Sequence, residues 1–255
     1  MKYGVCGSPE TGAAAARAGY DYYEMTVGSL LKPLEDEAAF EQALKEARKA
    51  GIPCEALNVF VPGHLKITGP KVERQALKQY AATALRRAEV AGVKAIVFGS
   101  GAARRIPEGF ARAKAWEQLV DFCKMLGPLA QEHGVTIAIE PLNQAECNVL
   151  TSVGEGAELA RQVDHPSIRL LVDCFHWAKD GDSFEDLVQA GLLLAHAHIA
   201  TLPGRRAPGA EAYDFGRFFE ALRLGGYDGR ISIEAEIGEA DAELPKALSL
   251  LRSYA

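Results

Sequence analysis

The chain has 255 residues, 28 basic against 34 acidic side chains for a net charge of −6, and 48% hydrophobic residues, which excludes a disordered or fibrous chain and lacks the basic footprint of sequence-independent DNA binding. No apolar run reaches the roughly 18 residues that a membrane span needs, so no membrane role is expected. The N-terminal MKYGVCGSPETG has no apolar secretory core, and the five cysteines lack CxxC spacing; both read as a cytoplasmic protein with reduced thiols.

Taken in chain order, short apolar runs alternate with amphipathic stretches. Lys2–Cys6 reads as a strand, followed by an alanine-rich helix over Pro9–Ala18 and a second strand, Tyr20–Glu24. Glu35–Ala50 reads as a helix with acids in its first turn and bases in its last, an order that suits the helix dipole, and Gly51 sits where it should stop. Strand Cys54–Asn58 precedes a helix over Lys71–Ala91 that ends at Gly92. Strand Ala95–Phe98 precedes Phe110–His133, a longer helical stretch that Gly127-Pro128 should kink or divide. Strands Thr136–Glu140, Arg169–Asp173, Ala195–His198 and Arg230–Glu234 follow, each trailed by a helix: Ser152–Val163, Ser183–Ala190, Asp214–Leu224 and Glu239–Tyr254.

Strand–helix alternation with near-continuous apolar strands predicts a parallel sheet covered by helices. Eight such units in this length predict a single-domain (β/α)8 TIM barrel spanning residues 1–255. The rival, an open doubly wound sheet, lacks its usual GxGxxG turn: Cys6-Gly7-Ser8-Pro9 offers one glycine.

In such a barrel the chemistry sits at the C-terminal ends of the strands. The last four strands end in Glu140, Asp173, His198 and Glu234. A single acid there reads as a helix cap, and a single histidine as a satisfied core residue. Three carboxylates and an imidazole at one barrel mouth repel one another unless a cation compensates. Three oxygen donors and one nitrogen suit one divalent cation, Mn²⁺ or Mg²⁺, with Co²⁺ or Zn²⁺ as further fits.

Other residues are expected to line the same mouth. His176, in the loop DCFHW, is placed to donate to a ligand oxygen. Arg205, in the Gly/Pro loop LPGRRAPG, is placed to clamp a substrate oxygen or carboxylate, with Arg206 beside it solvated. Arg104, in GSGAARRIPEGF, is a candidate for a terminal oxygen or phosphate, and the glycines before it leave room for a ligand. Glu24 and His64 are expected to rim the site, whereas His196 should lie one layer deeper and pack.

The stretches IAIEPLN, LLVDCFHWAKDG, HAHIATLPGRRAPG and YDGRISIEAE resemble the xylose isomerase-like TIM-barrel superfamily, in its sugar isomerase and epimerase branch. The chain is similar there to ketose 3-epimerases, hydroxypyruvate isomerase and inosose-processing enzymes. The resemblance implies that Glu140, Asp173, His198 and Glu234 are the metal ligands and that His176 and Arg205 contact the substrate. It also implies that Glu140 and Glu234 are the acid/base pair. One departure stands at Thr201, where the resembling sequences often carry an acid.

The expected activity is that of a metal-dependent ketose epimerase or aldose–ketose isomerase acting on a small sugar or polyol by proton transfer through an enediolate. An inosose dehydratase-like lyase uses similar groups. A non-catalytic sugar-binding barrel would be expected to lack one of the four positions, and all four are filled. An endonuclease IV-like enzyme needs ligands for three zinc ions, which this acidic chain lacks.

Overall fold

The computed structural model describes residues 1–254. Eight parallel strands, β1 (Lys2–Cys6), β2 (Tyr22–Thr26), β3 (Cys54–Asn58), β4 (Ala95–Phe98), β5 (Thr136–Ile139), β6 (Ile168–Asp173), β7 (Leu194–Ile199) and β8 (Arg230–Ile233), pair in sequence order and close β8 against β1. The helices between them are α1 (Pro9–Ala18), α2 (Val27–Leu30), α3 (Glu37–Ala47), α4 (Arg74–Ala91), α5 (Gly101–Arg104), α6 (Arg112–Glu132), α7 (Val153–Val163), α8 (Cys174–Lys179), α9 (Phe184–Ala190), α10 (Gly216–Leu224) and α11 (Ala240–Arg252). This is a single-domain (β/α)8 TIM barrel, with the apolar core packed between the strand wall and the helices. Among the described residues, no helix is long and apolar enough to cross a membrane.

Local chemistry sets the helix boundaries. Asp36, Ser152 and Ser183 are N-caps whose side chains accept from the amides of Ala39, Glu155 and Asp186, so the helices begin one residue after them. Gly51 and Gly92 end their helical stretches in the left-handed conformation, with φ of 79° and 81°. The Gly127-Pro128 pair does not divide α6, which runs through Pro128 as one helix. Gly127 serves packing instead: a Cβ there would sit 2.6 Å from the His165 ring. The segment after Asp173, expected as a loop, is the short helix α8, capped by the Asp173 carboxylate accepting from the Phe175 amide at 2.9 Å.

The second strand is offset from its expected span. The sequence pattern places this strand at Tyr20–Glu24, whereas β2 is Tyr22–Thr26, so Glu24 lies mid-strand rather than at the mouth. Its register partner is Cys6 on β1, while Asp173, His198 and Ser232 align across β6, β7 and β8. Tyr22 fills the barrel interior one inward step below Glu24. A Cβ on its register partner Gly4 would lie 2.3 Å from the Tyr22 ring, so that strand position must be bare.

Candidate metal centre

The ends of β5 to β8 bring Glu140, Asp173, His198 and Glu234 into one cluster, with a donor atom of each within 4.8 Å of the others. Parallel pairing explains the convergence: Asp173 and His198 are direct register partners, and Glu140 and Glu234 follow the last residues of β5 and β8. His198 Nδ1 lies 3.4 Å from Glu140 Oε1 and 3.7 Å from Glu234 Oε2. Glu140 Oε1, Asp173 Oδ2 and His198 Nδ1 are buried and have no hydrogen-bond partner among the described residues. Buried polar atoms are normally satisfied, so three orphans facing one point mark a place for a ligand. One nitrogen and three carboxylates fit a divalent cation.

Electrostatics agree with that fit. Burial, reinforced by the charges of Glu234 and Glu140, pushes the Asp173 carboxyl up to about 8. Burial also raises Glu140. Burial alone would depress His198, but the Glu24 and Glu234 carboxylates outweigh it and hold the imidazole well above its ordinary range. Without a cation the cluster thus retains protons, the response expected of carboxylates crowded out of water.

Around the cluster lies a cavity of about 370 Å³, whose wall includes Asn58, Val59, Leu142, Glu146, His176 and Arg205. Arg205 Nη2 lies 2.6 Å from Glu234 Oε2 and 3.6 Å from Asp173 Oδ2, and its guanidinium stands 4.6 Å over the Phe175 ring. Arg205 has a left-handed φ of 48° and Val59 one of 51°. Such a conformation is costly for a β-branched residue, and such strain clusters at binding sites. A separate groove of about 200 Å³ between α4 and α6 is lined by Ile67, Leu77 and Phe122, with Arg74 and Asp121 paired at 2.7 Å and Lys78 also on its wall.

His176 is buried beside Asp173, with Nε2 3.5 Å from Asp173 Oδ2. Asn143 Nδ2 donates to Glu146 Oε1 at 2.9 Å and lies 2.7 Å from His176 Nδ1. Since the amide nitrogen can only donate, His176 Nδ1 accepts and Nε2 carries the proton towards the cluster. Burial, with the charge of Arg205, pushes His176 down to about 3, so the ring is neutral.

Three expected rim residues are placed elsewhere. Glu24 is fully buried beneath the cluster, where its carboxylate accepts from both His196 and His198, because the true strand span puts it on an inward mid-strand position. Burial would raise Glu24, but the two imidazoles outweigh it and hold it well below the usual carboxylate range. Arg104 is fully buried and donates to the carbonyls of Phe98 at 2.9 Å, Glu140 at 2.7 Å and Leu150 at 3.2 Å. It ties the ends of β4 and β5 together and reaches no solvent, which corrects the expectation of substrate contact. His64 is exposed in the loop after β3 and does not line the cavity, although its neighbour Gly63 does.

His196 is buried and packed, as its strand position predicted. Arg206 is half-buried and paired with Glu243 at 3.2 Å rather than solvated. Thr201 is buried and binds its own loop, donating to Glu211 and accepting from the Arg206 amide at 2.9 Å. The sequence reading missed Asn58, Asn143 and Glu146. Asn58 donates to Glu234 Oε1 at 3.3 Å, and Glu146 stands 3.6 Å from Arg205 Nη1. The available signal was position alone: Asn58 ends a strand, and Asn143 and Glu146 lie in the loop that follows Glu140.

Comparison with known proteins gives a consistent picture. A D-psicose 3-epimerase of Ruminiclostridium cellulolyticum is 30% identical over 120 residues, which are 47% of this chain and 41% of that protein's length. An L-ribulose 3-epimerase of Methylomonas is 26% identical over 260 residues, covering 98% of this chain and 86% of that protein. A crystal structure of D-psicose 3-epimerase with D-tagatose from Clostridium cellulolyticum shares the fold, with a TM-score of 0.83 at 20% identity over 100% of this chain and 99% of the other. The model of the xylose isomerase-like TIM barrel family matches residues 13–254, and the chain belongs to that family.

Proposed function

We propose that this protein is a divalent-metal-dependent carbohydrate isomerase, and within that class a ketose epimerase that works by proton transfer. One observation carries the reading: Glu140 and Glu234, from β5 and β8, approach the same His198 nitrogen to 3.4 and 3.7 Å and flank the cavity. The named relatives, which are sugar 3-epimerases, support the substrate class.

In this reading Glu140, Asp173, His198 and Glu234 hold the cation, with Mn²⁺ or Mg²⁺ preferred by the oxygen-rich donor set. When bound, the cation supplies a Lewis acid for sugar oxygens that gain negative charge. One glutamate removes the proton from the carbon beside the carbonyl, and the other delivers a proton to the opposite face. Asp173 and His198, between them on β6 and β7, hold position and exchange no proton with the sugar. His176, neutral with its proton on Nε2, donates to a sugar oxygen. Arg205 binds a hydroxyl or carbonyl oxygen beside Glu234. A single glutamate acting on one face would give aldose–ketose isomerisation; two flanking carboxylates favour epimerisation.

The test is turnover of four- to six-carbon ketoses and of inososes with Mn²⁺ in deuterated water, with products identified by NMR. The reading expects an epimer carrying deuterium at the inverted carbon, and no such exchange in Glu140→Gln or Glu234→Gln. Product free of solvent deuterium would remove the proton-transfer mechanism. An inosose dehydrated rather than inverted would make the protein a lyase.

A further inference from the structure

We propose that Glu24 is the positioning residue of the cation site, holding the His198 ring so that Nδ1, and not Nε2, meets the metal. The inference rests on the cation reading above and concerns a group that reaches neither the cavity nor the substrate.

Glu24 has no solvent exposure. Its Oε1 lies 3.0 Å from His198 Nε2, and its Oε2 lies 2.8 Å from His196 Nε2. Ser232 Oγ donates to the same Oε2 at 2.7 Å, and Tyr22 Oη stands 2.8 Å from Ser232 Oγ. An ionised carboxylate only accepts, so both imidazoles present Nε2 as the N–H. The other nitrogen of His198 is then the free one. Among the described residues it has no hydrogen-bond partner, and it faces Glu140 and Glu234.

A ligand imidazole commonly donates its second N–H to an anchoring group, which fixes both tautomer and ring plane. Here that anchor comes from β2, across the barrel from β7. The anchor is itself fixed. His196 and Ser232 hold one oxygen, and Tyr22 beneath them is wedged against the bare Gly4 position, where a Cβ would lie 2.3 Å from its ring. The arrangement also offers a competing site. Cys6, Glu24 and His198 present donor atoms within 4.8 Å of one another, so a soft cation could take His198 by Nε2 instead. By occupying that nitrogen with a hydrogen bond, Glu24 directs His198 to the carboxylate side.

The experiment uses the full chain loaded with Mg²⁺, which is hard and diamagnetic. Nitrogen–proton NMR of the His198 ring should find a slowly exchanging proton on Nε2 and none on Nδ1. Competition with a chelator should find Mg²⁺ and Mn²⁺ affinity reduced about 10- to 100-fold in Glu24→Gln, whose amide can no longer accept from both rings. Ser232→Ala, a milder change, should weaken affinity several-fold while circular dichroism stays native, and it decides the matter if Glu24→Gln fails to fold. A proton on Nδ1 with the metal on Nε2, or unchanged affinity in the folded variants, overturns the proposal while leaving the cation reading intact. A wild type that binds no divalent cation overturns both.

Discussion

A Cβ on Gly99 would lie 2.2 Å from Glu140 Oε2, so the chain is bare just past β4 where the neighbouring strand's carboxylate needs the space. The sequence suggested that this glycine makes room for a ligand; the group it admits first is a side chain of the protein. Gly99→Ala should therefore displace Glu140 without unfolding the barrel. Metal affinity should fall by about tenfold or more, in line with the loss of an ordered ligand. Chelator competition beside a thermal melt checks this, and native affinity in the variant would show that Glu140 is not held where the cation needs it.

Arg104 makes the opposite kind of prediction, since its guanidinium is fully enclosed by the carbonyls of Phe98, Glu140 and Leu150. Arg104→Met leaves those buried acceptors unpaired and should cost on the order of 3 kcal/mol of stability. Urea denaturation measures the loss. A raised KM at unchanged stability would instead return Arg104 to the substrate.

The pH dependence of the metal-free protein follows from two groups of opposite sign. Asp173, pushed up by burial to about 8, far above the ordinary aspartate range, favours its protonated form in the fold. Its contribution is present at low pH and is lost as pH rises towards 8. His176, pushed down to about 3 from 6.5, contributes stability that is complete above 6.5 and lost as pH falls. The two oppose each other below 6.5; above it Asp173 acts without that offset, and His198, whose pKa is raised, works in the same direction. The Tm of metal-free protein should therefore fall between about pH 6.5 and 8, and saturating Mn²⁺ should flatten the slope because the cation replaces the protons. Melts at several pH values test this; a flat or rising Tm over that window without metal would contradict it.

Asn143 fixes the His176 tautomer from outside the cluster, at 2.7 Å from Nδ1. Asn143→Ala should lower kcat or raise KM about tenfold, because Nε2 no longer reliably carries the donor proton, while metal content stays at the wild-type level. His176→Ala and Arg205→Ala should show the same separation. Loss of the metal in His176→Ala would move that residue into the ligand set.

Much of this architecture was legible in the sequence because a parallel barrel writes a simple pattern. Apolar strands recur with helices between them, and the ligand-bearing residues stand at strand ends, as Glu140, Asp173, His198 and Glu234 do. What was illegible depended on single-residue register. Moving the second strand from Tyr20–Glu24 to Tyr22–Thr26 takes Glu24 from the rim to the floor of the site. An arginine in a glycine-rich loop reads alike whether it meets solvent, substrate or three buried carbonyls, so Arg104 was misplaced. Glu146 lies in an irregular loop, where no periodicity says which way an acid points.

Glu140, Asp173, His198 and Glu234 together are proposed to hold one divalent cation. The most direct measurement is the metal content and equilibrium Mn²⁺ titration of the purified wild type beside Asp173→Asn and His198→Ala, each verified as folded. One tightly bound equivalent is expected in the wild type, with its loss, or a weakening of about 100-fold or more, in both variants. Equal binding by all three proteins would contradict it.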